Sequence, residues 1–203
     1  MIGIVDYNMG NLASVINAFA KVGVDATLES DPTKLGQYDK LILPGVGAFG
    51  DAMEHLKENG MDEAVIAYAK IGKPLLGICL GMQLLLESSD EFGKHEGLGL
   101  IPGIVRKFDT SRFKTPLKVP HMGWNELFVK KQSPLFNGLE DEIYLYFVHS
   151  YHAICEEQYT LGVTEYGYSF ASAINRDNIY GFQPHPEKSH DNGLKILKNF
   201  IQI

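Results

Sequence analysis

The first half of the chain alternates short apolar runs with segments whose apolar residues recur at helical spacing. Runs typical of buried strands cover residues 2–6, 25–29, 40–43 and 74–78. Helical spacing follows Asn11, a suitable helix N-cap, and is found at residues 15–20, 53–56, 64–69 and 80–87. This alternation predicts an α/β fold built on an open, doubly wound, mostly parallel sheet.

The second half has a different pattern, in which β-rich segments are joined by short turns. These segments cover residues 104–108, 124–129, 143–148, 151–155, 170–175 and 179–182. A last helix is predicted at residues 194–201, after the capping candidates Ser189, Asp191 and Asn192. Closely spaced strands favour hairpins, so we expect antiparallel additions to the sheet in the C-terminal half and a single domain over residues 1–203.

Composition narrows the class of protein. The 203 residues are 45% hydrophobic and 21% charged, with a net charge of −7. That balance is typical of a globular domain and provides no basic patch for nucleic acid or an anionic membrane. The longest apolar run without charge, residues 74–86, is shorter than the about 20 residues that a membrane span needs. Two cysteines are too few for a disulfide scaffold, so we expect a soluble, cytoplasmic protein.

The strongest chemical signal is Gly77-Ile78-Cys79-Leu80-Gly81, where a predicted strand runs into a predicted helix. This arrangement is typical of a nucleophile elbow, with cysteine in the place of serine. The helix N-terminus favours a thiolate at Cys79, and the Leu80 amide is placed to stabilise an oxyanion. A buried, inert cysteine at a strand end is the structural alternative.

A second signal is Pro184-His185-Pro186-Glu187. The two prolines predict an extended segment, in which residues two apart lie on the same side. His185 and Glu187 would then form an imidazole with a carboxylate that fixes its tautomer. Together with Cys79 they supply a nucleophile, a base and an orienting group, whereas the alternative is a surface loop with an incidental histidine.

A third signal is the glycine-rich segment Pro44-Gly45-Val46-Gly47-Ala48-Phe49-Gly50. It contains G-x-G-x-x-G, but it follows the third predicted strand rather than the first. Residues 64–86 also contain no acidic side chain of the kind a dinucleotide site needs about 20 residues further on. We therefore interpret the segment as a loop that can offer an amide to an oxyanion.

The other histidines show no metal-ligand spacing, so we expect neither a metal nor a cofactor. His149 and His152 flank Ser150-Tyr151 in a β-rich stretch and are interpreted as structural. Cys155 is interpreted as a strand residue of the core.

Five segments carry a family resemblance that covers essentially the whole chain: residues 6–11, 44–47, 77–83, 120–125 and 185–188. With them the chain resembles the class I, or triad, glutamine amidotransferases, whose sheet is flavodoxin-like. Asp6-Tyr7-Asn8-Met9-Gly10-Asn11 and Pro120-His121-Met122-Gly123-Trp124-Asn125 are the discriminating segments. They resemble the glutaminase subunits of imidazole glycerol phosphate synthases, whereas the glutaminase of pyridoxal-phosphate synthase looks different at both.

The resemblance implies a role for each candidate residue. Cys79, His185 and Glu187 would form the triad, with oxyanion amides from Gly47 and Leu80. The amino-acid end of glutamine would be held by Gln83, Glu91 and the backbone of Ser150 and Tyr151. A (β/α)8-barrel cyclase would form a heterodimer with the chain through Asn11, Trp124, Asn125 and Lys188.

The residues by themselves indicate only acyl transfer by a Cys-His-Glu triad. That glutamine is the substrate is implied by the family resemblance. The expected function is therefore a glutaminase that passes ammonia to a cyclase making imidazole glycerol phosphate and AICAR in histidine biosynthesis. Three alternatives remain open at this point: the glutaminase of another sugar-amidating synthase, a stand-alone γ-glutamyl cysteine hydrolase, and a non-catalytic domain of flavodoxin type.

Overall fold

A computed structural model describes all 203 residues. The helices are α1 (Leu12–Lys21), α2 (Phe49–Lys57), α3 (Met61–Lys70), α4 (Leu80–Leu84) and α5 (His190–Gln202). The strands are β1 (Ile2–Val5), β2 (Ala26–Glu29), β3 (Lys40–Leu43), β4 (Leu75–Ile78), β5 (Ser88–Ser89), β6 (His95–Glu96), β7 (Ile104–Lys107), β8 (His121–Val129), β9 (Glu142–His149), β10 (Tyr151–Ile154), β11 (Thr160–Tyr166), β12 (Tyr168–Arg176) and β13 (Ile179–Phe182).

Five parallel strands form the centre of the sheet in the order β2-β1-β3-β4-β13. This is the 2-1-3-4-5 order of flavodoxin-like sheets, in which ligands bind outside the carboxyl ends of the strands. Every residue of β1, β4 and β13 is buried, as expected for strands covered on both faces. The predicted open, doubly wound and mostly parallel sheet is confirmed.

Alternate side chains of the central strands enter two separate cores. Leu41 and Leu43 of β3 pack with α2 and α3, whereas Ile42 between them packs with α1 and α5. The helical spacing in α1, α2 and α3 therefore arises because each of these helices buries one stripe against the sheet, whereas every residue of α4 is buried. The two layers of helices hold the strand ends, and the loops that follow them, in fixed positions.

The predicted antiparallel additions are confirmed in the C-terminal half. Beyond β13 the sheet continues through β12, β10 and β7, and β12 also pairs with β11, which leads to β8 and β9. The hairpin of β8 and β9 is the longest of these pairings and places His121 directly opposite His149. Strand β11 and the short strands β5 and β6 were not predicted, because they are short or carry no clear alternation.

Several helix boundaries differ from the prediction, since α2 and α3 begin earlier, at Phe49 and Met61. Helix α4 ends at Leu84 rather than at residue 87, because the Leu85 and Leu86 amides bond carbonyls only three residues back and the chain then enters β5. Helix α5 begins at His190 rather than at residue 194. No helix in the structure is both long and apolar enough to cross a membrane.

The predicted helix caps do not form. Asn11 occupies the N-cap position of α1, but its side chain makes no capping hydrogen bond. Ser189 precedes α5, but its hydroxyl donates to the His185 carbonyl oxygen at 2.6 Å and accepts from the Tyr146 amide at 2.9 Å. The serine therefore fixes the segment that carries His185 instead of capping the helix.

Candidate active site

Cys79 lies directly after β4, at the first turn of α4. Its φ of +55° and ψ of −111° fall where L residues are rarely found, a conformation that costs on the order of 1–3 kcal/mol. The Cys79 amide donates to the Phe182 carbonyl at 2.7 Å, which holds the strained residue against β13. A Cβ on Gly81 would collide with the carbonyl oxygen of Leu43, so glycine is required for the helix to approach β3.

His185 follows β13 and is paired with Glu187. Nδ1 of the imidazole lies 2.7 Å from Oε1 of the carboxylate, and both side chains are almost fully buried. The expected extended segment is wrong beyond His185, because Pro186–Lys188 forms a 3-10 turn. The turn, rather than an extended backbone, brings the carboxylate back to the ring.

The charge state of His185 follows from these neighbours. Burial by itself would lower the pKa of His185, but the Cys79 sulfur and the Glu187 carboxylate together raise it to about 10. Both neighbours therefore favour the imidazolium form of the ring. Because Nδ1 is bonded to Glu187 and Nε2 has no hydrogen-bond partner, Nε2 is the nitrogen available to a reacting group.

A cavity of about 310 Å³ opens at the Cys79 sulfur. Its volume lies at the small end of the range for ligand pockets. The structure brings nine of the predicted site residues to its wall, namely Gly47, Cys79, Leu80, Gln83, Glu91, Ser150, Tyr151, His185 and Lys188. Glu187 does not line the cavity, and its carboxylate contacts the His185 imidazole instead.

Gln83 and Glu91, the two side chains predicted to hold the substrate, have partners in the structure. Nε2 of Gln83 donates to the Tyr151 carbonyl at 3.1 Å and to Oε1 of Gln183 at 3.0 Å. Oε2 of Glu91 accepts from the Phe49 amide at 2.8 Å, at the first residue of α2. Burial raises the pKa of Glu91, although this hydrogen bond opposes the shift.

The glycine loop between β3 and α2 is anchored at both ends. The Tyr7 hydroxyl donates to the Pro44 carbonyl at 2.7 Å at one end, and Glu91 binds Phe49 at the other. Gly47 between them has a φ of +96°, a conformation that other residues rarely adopt. The loop therefore has hydrogen-bonded ends and, at its centre, a glycine in a conformation that other residues rarely adopt.

Three residues near the nucleophile were missed from the sequence. Nε2 of the buried Gln183 lies 3.8 Å from the Cys79 sulfur, and the sulfur lies 3.9 Å from the Val148 carbonyl. His149 lines the cavity as well. Each adjoins a segment that was recognised, since Gln183 precedes Pro184-His185 and the other two precede Ser150, but their contacts depend on strand pairing.

Three of the residues predicted to contact a partner lie away from the cavity, whereas Lys188 lies on its wall. Trp124 is 48% exposed and stacks on His190, with ring centroids 5.1 Å apart. Asn125, next to it on β8, donates to the Glu165 carbonyl at 2.9 Å. No group of three or more His, Cys, Asp or Glu side chains is arranged to hold a metal.

The fold and the site together define a class of protein. An open α/β sheet carries a cysteine at a strand-to-helix turn, a histidine paired with a carboxylate, and a glycine loop beside them. These groups are the ones that nucleophilic acyl transfer requires. The sequence model of the family described as "Glutamine amidotransferase class-I" matches residues 3–203. The chain belongs to this family.

Curated relatives match over the whole chain. A protein of Sulfurimonas denitrificans is 69% identical over 203 residues, which are 100% of this chain and 98% of the relative. A protein of Wolinella succinogenes is 63% identical over 204 residues, with 100% of both chains covered. Both are named "Imidazole glycerol phosphate synthase subunit HisH".

Solved structures confirm the fold. A structure of PurLQS from Thermotoga maritima superposes with a TM-score of 0.77 at 20% identity, over 99% of this chain and 97% of that one. A crystal structure of a glutamine amidotransferase gives a TM-score of 0.76 at 17% identity, over 99% and 97% of the two chains. At such identities the likeness shows the shared fold.

Proposed function

We propose that the chain is the glutaminase subunit of an imidazole glycerol phosphate synthase in histidine biosynthesis. The observation that carries the proposal is the buried 2.7 Å pair of His185 and Glu187 in a site whose cavity holds the Cys79 sulfur. Family membership supports glutamine as substrate. The names of relatives 69% and 63% identical over the full chain support the particular synthase.

The proposed reaction proceeds through a thioester. The Cys79 sulfur attacks the side-chain amide carbon of glutamine, a C–S bond forms, and the C–N bond breaks as Nε2 of His185 gives its proton to the departing ammonia. Amides of Gly47 and Leu80 stabilise the oxyanion. His185 then takes a proton from water, which attacks the thioester and releases glutamate and the thiolate.

The cavity wall supports the proposed recognition of an amino acid. Glu91 offers a carboxylate to the α-ammonium group of glutamine, and the backbone of Ser150 and Tyr151 lies on the same wall with Gln83. A small pocket with a few convergent polar groups is typical of sites for ligands of this size. The expected roles of these residues stand as part of the proposal.

The proposed partner is a (β/α)8-barrel cyclase that uses the ammonia to form imidazole glycerol phosphate and AICAR. A cavity of about 310 Å³ leaves little room for a sugar phosphate acceptor beside glutamine, so the acceptor site belongs on another chain. Met122 and Trp124 on β8 and Tyr144 on β9 expose apolar side chains on the hairpin that also carries Asn125. We place the partner contact there, with Asn11 and Lys188 contributing.

The test compares two cysteine variants in the complex with the cyclase. Cys79→Ala should abolish glutamine-dependent synthesis and leave synthesis from added ammonia intact, because free ammonia bypasses the thiolate. Cys155→Ala removes the other free cysteine, which is half-buried, and should preserve both activities. Loss of both activities in an assembled Cys79→Ala complex would contradict the proposal. Hydrolysis of γ-glutamyl peptides by the lone wild-type chain would favour the stand-alone hydrolase.

A further inference from the structure

A chain of hydrogen bonds runs from β8 to the wall of the cavity through two histidines. Nδ2 of Asn125 lies 3.2 Å from Nε2 of His121, and Nδ1 of His121 lies 2.9 Å from Nε2 of His149. Nδ1 of His149 lies 2.7 Å from the Tyr151 carbonyl oxygen. The two histidines are direct cross-strand neighbours of β8 and β9, so the sheet itself sets their separation.

The direction of every bond in this chain can be assigned. A carbonyl only accepts, so His149 carries its proton on Nδ1 and, when neutral, accepts at Nε2. His121 must then donate from Nδ1 and accept at Nε2. The Asn125 amide is oriented to suit, because its oxygen accepts from the Glu126 amide at 2.8 Å and its nitrogen also donates to the Glu165 carbonyl.

The chain requires both rings to be neutral, and their surroundings ensure it. His121 and His149 are buried, at 3% and 6% exposure. Burial lowers the pKa of His121 to about 4 and that of His149 to about 3. At neutral pH both rings therefore hold a single proton, which the bonds place on Nδ1.

The end of the chain is a carbonyl with two donors. The Tyr151 carbonyl accepts from His149 and also from Nε2 of Gln83, which bonds Gln183 next to the Cys79 sulfur. The position of this peptide sets where the backbone of Ser150 and Tyr151 meets the cavity. Neither histidine belongs to the proposed nucleophile, base or oxyanion groups.

We propose that His121 and His149 are positioning residues that fix the Ser150–Tyr151 backbone for glutamine binding and tie it to Asn125 on the proposed partner-facing strand. This inference rests on the proposed function for the identity of the ligand. It assigns a role to His149, which the sequence pattern left as structural, and to His121, for which that pattern indicated only that no metal-ligand spacing is present. Its consequence is that breaking the chain weakens glutamine binding more than it slows the chemical step.

Two substitutions at His121 separate hydrogen bonding from packing. The ring stacks between Phe147 and Tyr166, with centroids 4.8 Å and 4.0 Å away. His121→Phe keeps the stacked ring and removes the donor to His149, whereas His121→Asn loses the ring and keeps an N–H near the position of Nδ1. His152→Phe is the matched control. His152 is a buried histidine that packs against the Phe108 ring, as His149 does, but it takes no part in the hydrogen-bond chain.

The main measurement is the KM and kcat for glutamine of each variant in the complex with the cyclase. His121→Phe should raise KM about fivefold to tenfold, the size expected for one lost buried hydrogen bond, with kcat within about twofold of wild type. His121→Asn should keep KM within about twofold although it lowers the melting temperature, and His152→Phe should leave KM unchanged. An unchanged KM in His121→Phe, or an equal rise in His121→Asn, would overturn the proposal.

A second measurement needs neither a variant nor activity. Long-range ¹H–¹⁵N spectra of the wild-type imidazoles at neutral pH should show protons on Nδ1 of both His121 and His149. A proton on Nε2 of either ring would break the chain and overturn the proposal. The proposed function fails if the wild-type protein forms this hydrogen-bond chain but does not hydrolyse glutamine with the cyclase. In that case the positioning role is decided by NMR. The amide chemical shifts of Ser150 and Tyr151 should then change in His121→Phe and not in His121→Asn.

Discussion

The Tyr7 hydroxyl donates a 2.7 Å hydrogen bond to the Pro44 carbonyl and thereby ties the end of β1 to the start of the glycine loop. Both groups are buried, and the bond spans 37 residues of sequence. Burial also raises the pKa of Tyr7 far above its usual value, so its hydroxyl keeps its proton and remains a donor throughout the working pH range.

Tyr7→Phe should therefore lower the kcat for glutamine by roughly fivefold to tenfold, because one lost buried hydrogen bond loosens the loop that carries the Gly47 amide. Steady-state assays of the complex measure it. Tyr68→Phe is the control, since it removes a buried hydroxyl bonded to the Tyr38 carbonyl, away from the loop. Equal losses of kcat in the two variants would show that Tyr7 acts through general stability instead.

The triad residues should act as one unit. His185→Ala should be about as severe as Cys79→Ala, and Glu187→Gln should be milder by roughly tenfold or more, because the carboxylate orients the ring and moves no proton. Adding His185→Ala to Cys79→Ala should cost little more than either change alone. Single-turnover assays on folded variants provide the measurement, and additive losses would argue against a shared step.

The charge on His185 should depend on both neighbours. Its pKa of about 10 lies above the ordinary 6.5, and Cys79→Ala or Glu187→Gln should each lower it. Because the folded-state pKa is raised, the stability from this charge is complete below about pH 6.5 and is lost as pH rises toward 10. Imidazole NMR titrations of wild type and both variants test this, and a wild-type pKa near 6.5 would contradict it.

The isolated subunit should be a poor glutaminase that the cyclase activates when its own ligand is bound. The anchored loop can withdraw an oxyanion amide by rotating a peptide at Gly45 or Gly47, and losing one such donor typically costs about 10²–10³ in rate. Turnover should be measured for the subunit alone, with the cyclase, and with the cyclase plus its nucleotide-like ligand. Full glutamine turnover by the lone subunit, unchanged by either addition, would contradict the expected activation of the glutaminase by the cyclase and its ligand.

Asn199 in α5 should be important for stability rather than for activity. Its buried Nδ2 donates to the Leu135 carbonyl at 2.8 Å and to the Asn137 carbonyl at 2.9 Å. Asn199→Ala leaves both carbonyls unpaired and should lower the free energy of unfolding by roughly 2 kcal/mol. Asn192→Ala, which removes an exposed hydrogen bond to Tyr144, should cost less than about 0.5 kcal/mol in the same denaturation experiment.

Much of the candidate site could be predicted because its key residues are neighbours in sequence. Cys79 sits between glycines at a strand end, and His185 lies two residues from Glu187. The proximity of residues so close in sequence depends little on contacts with distant parts of the chain. Even so, the backbone that joins His185 to Glu187 is a 3-10 turn rather than the extended segment expected from two prolines, because the Ser189 hydroxyl and the Tyr146 carbonyl hold it from either side.

By itself the sequence determined the net acidic charge, predicted the alternation of strands and helices, and indicated the residues that we propose to perform acyl transfer. The tertiary structure alone decided which partners those residues meet: Pro44 for Tyr7, Phe49 for Glu91 and His149 for His121. The reason is physical. Hydrophobic periodicity selects the face that each element buries, whereas strand register and helix docking, which many distant contacts set together, bring polar groups far apart in sequence to within hydrogen-bond distance.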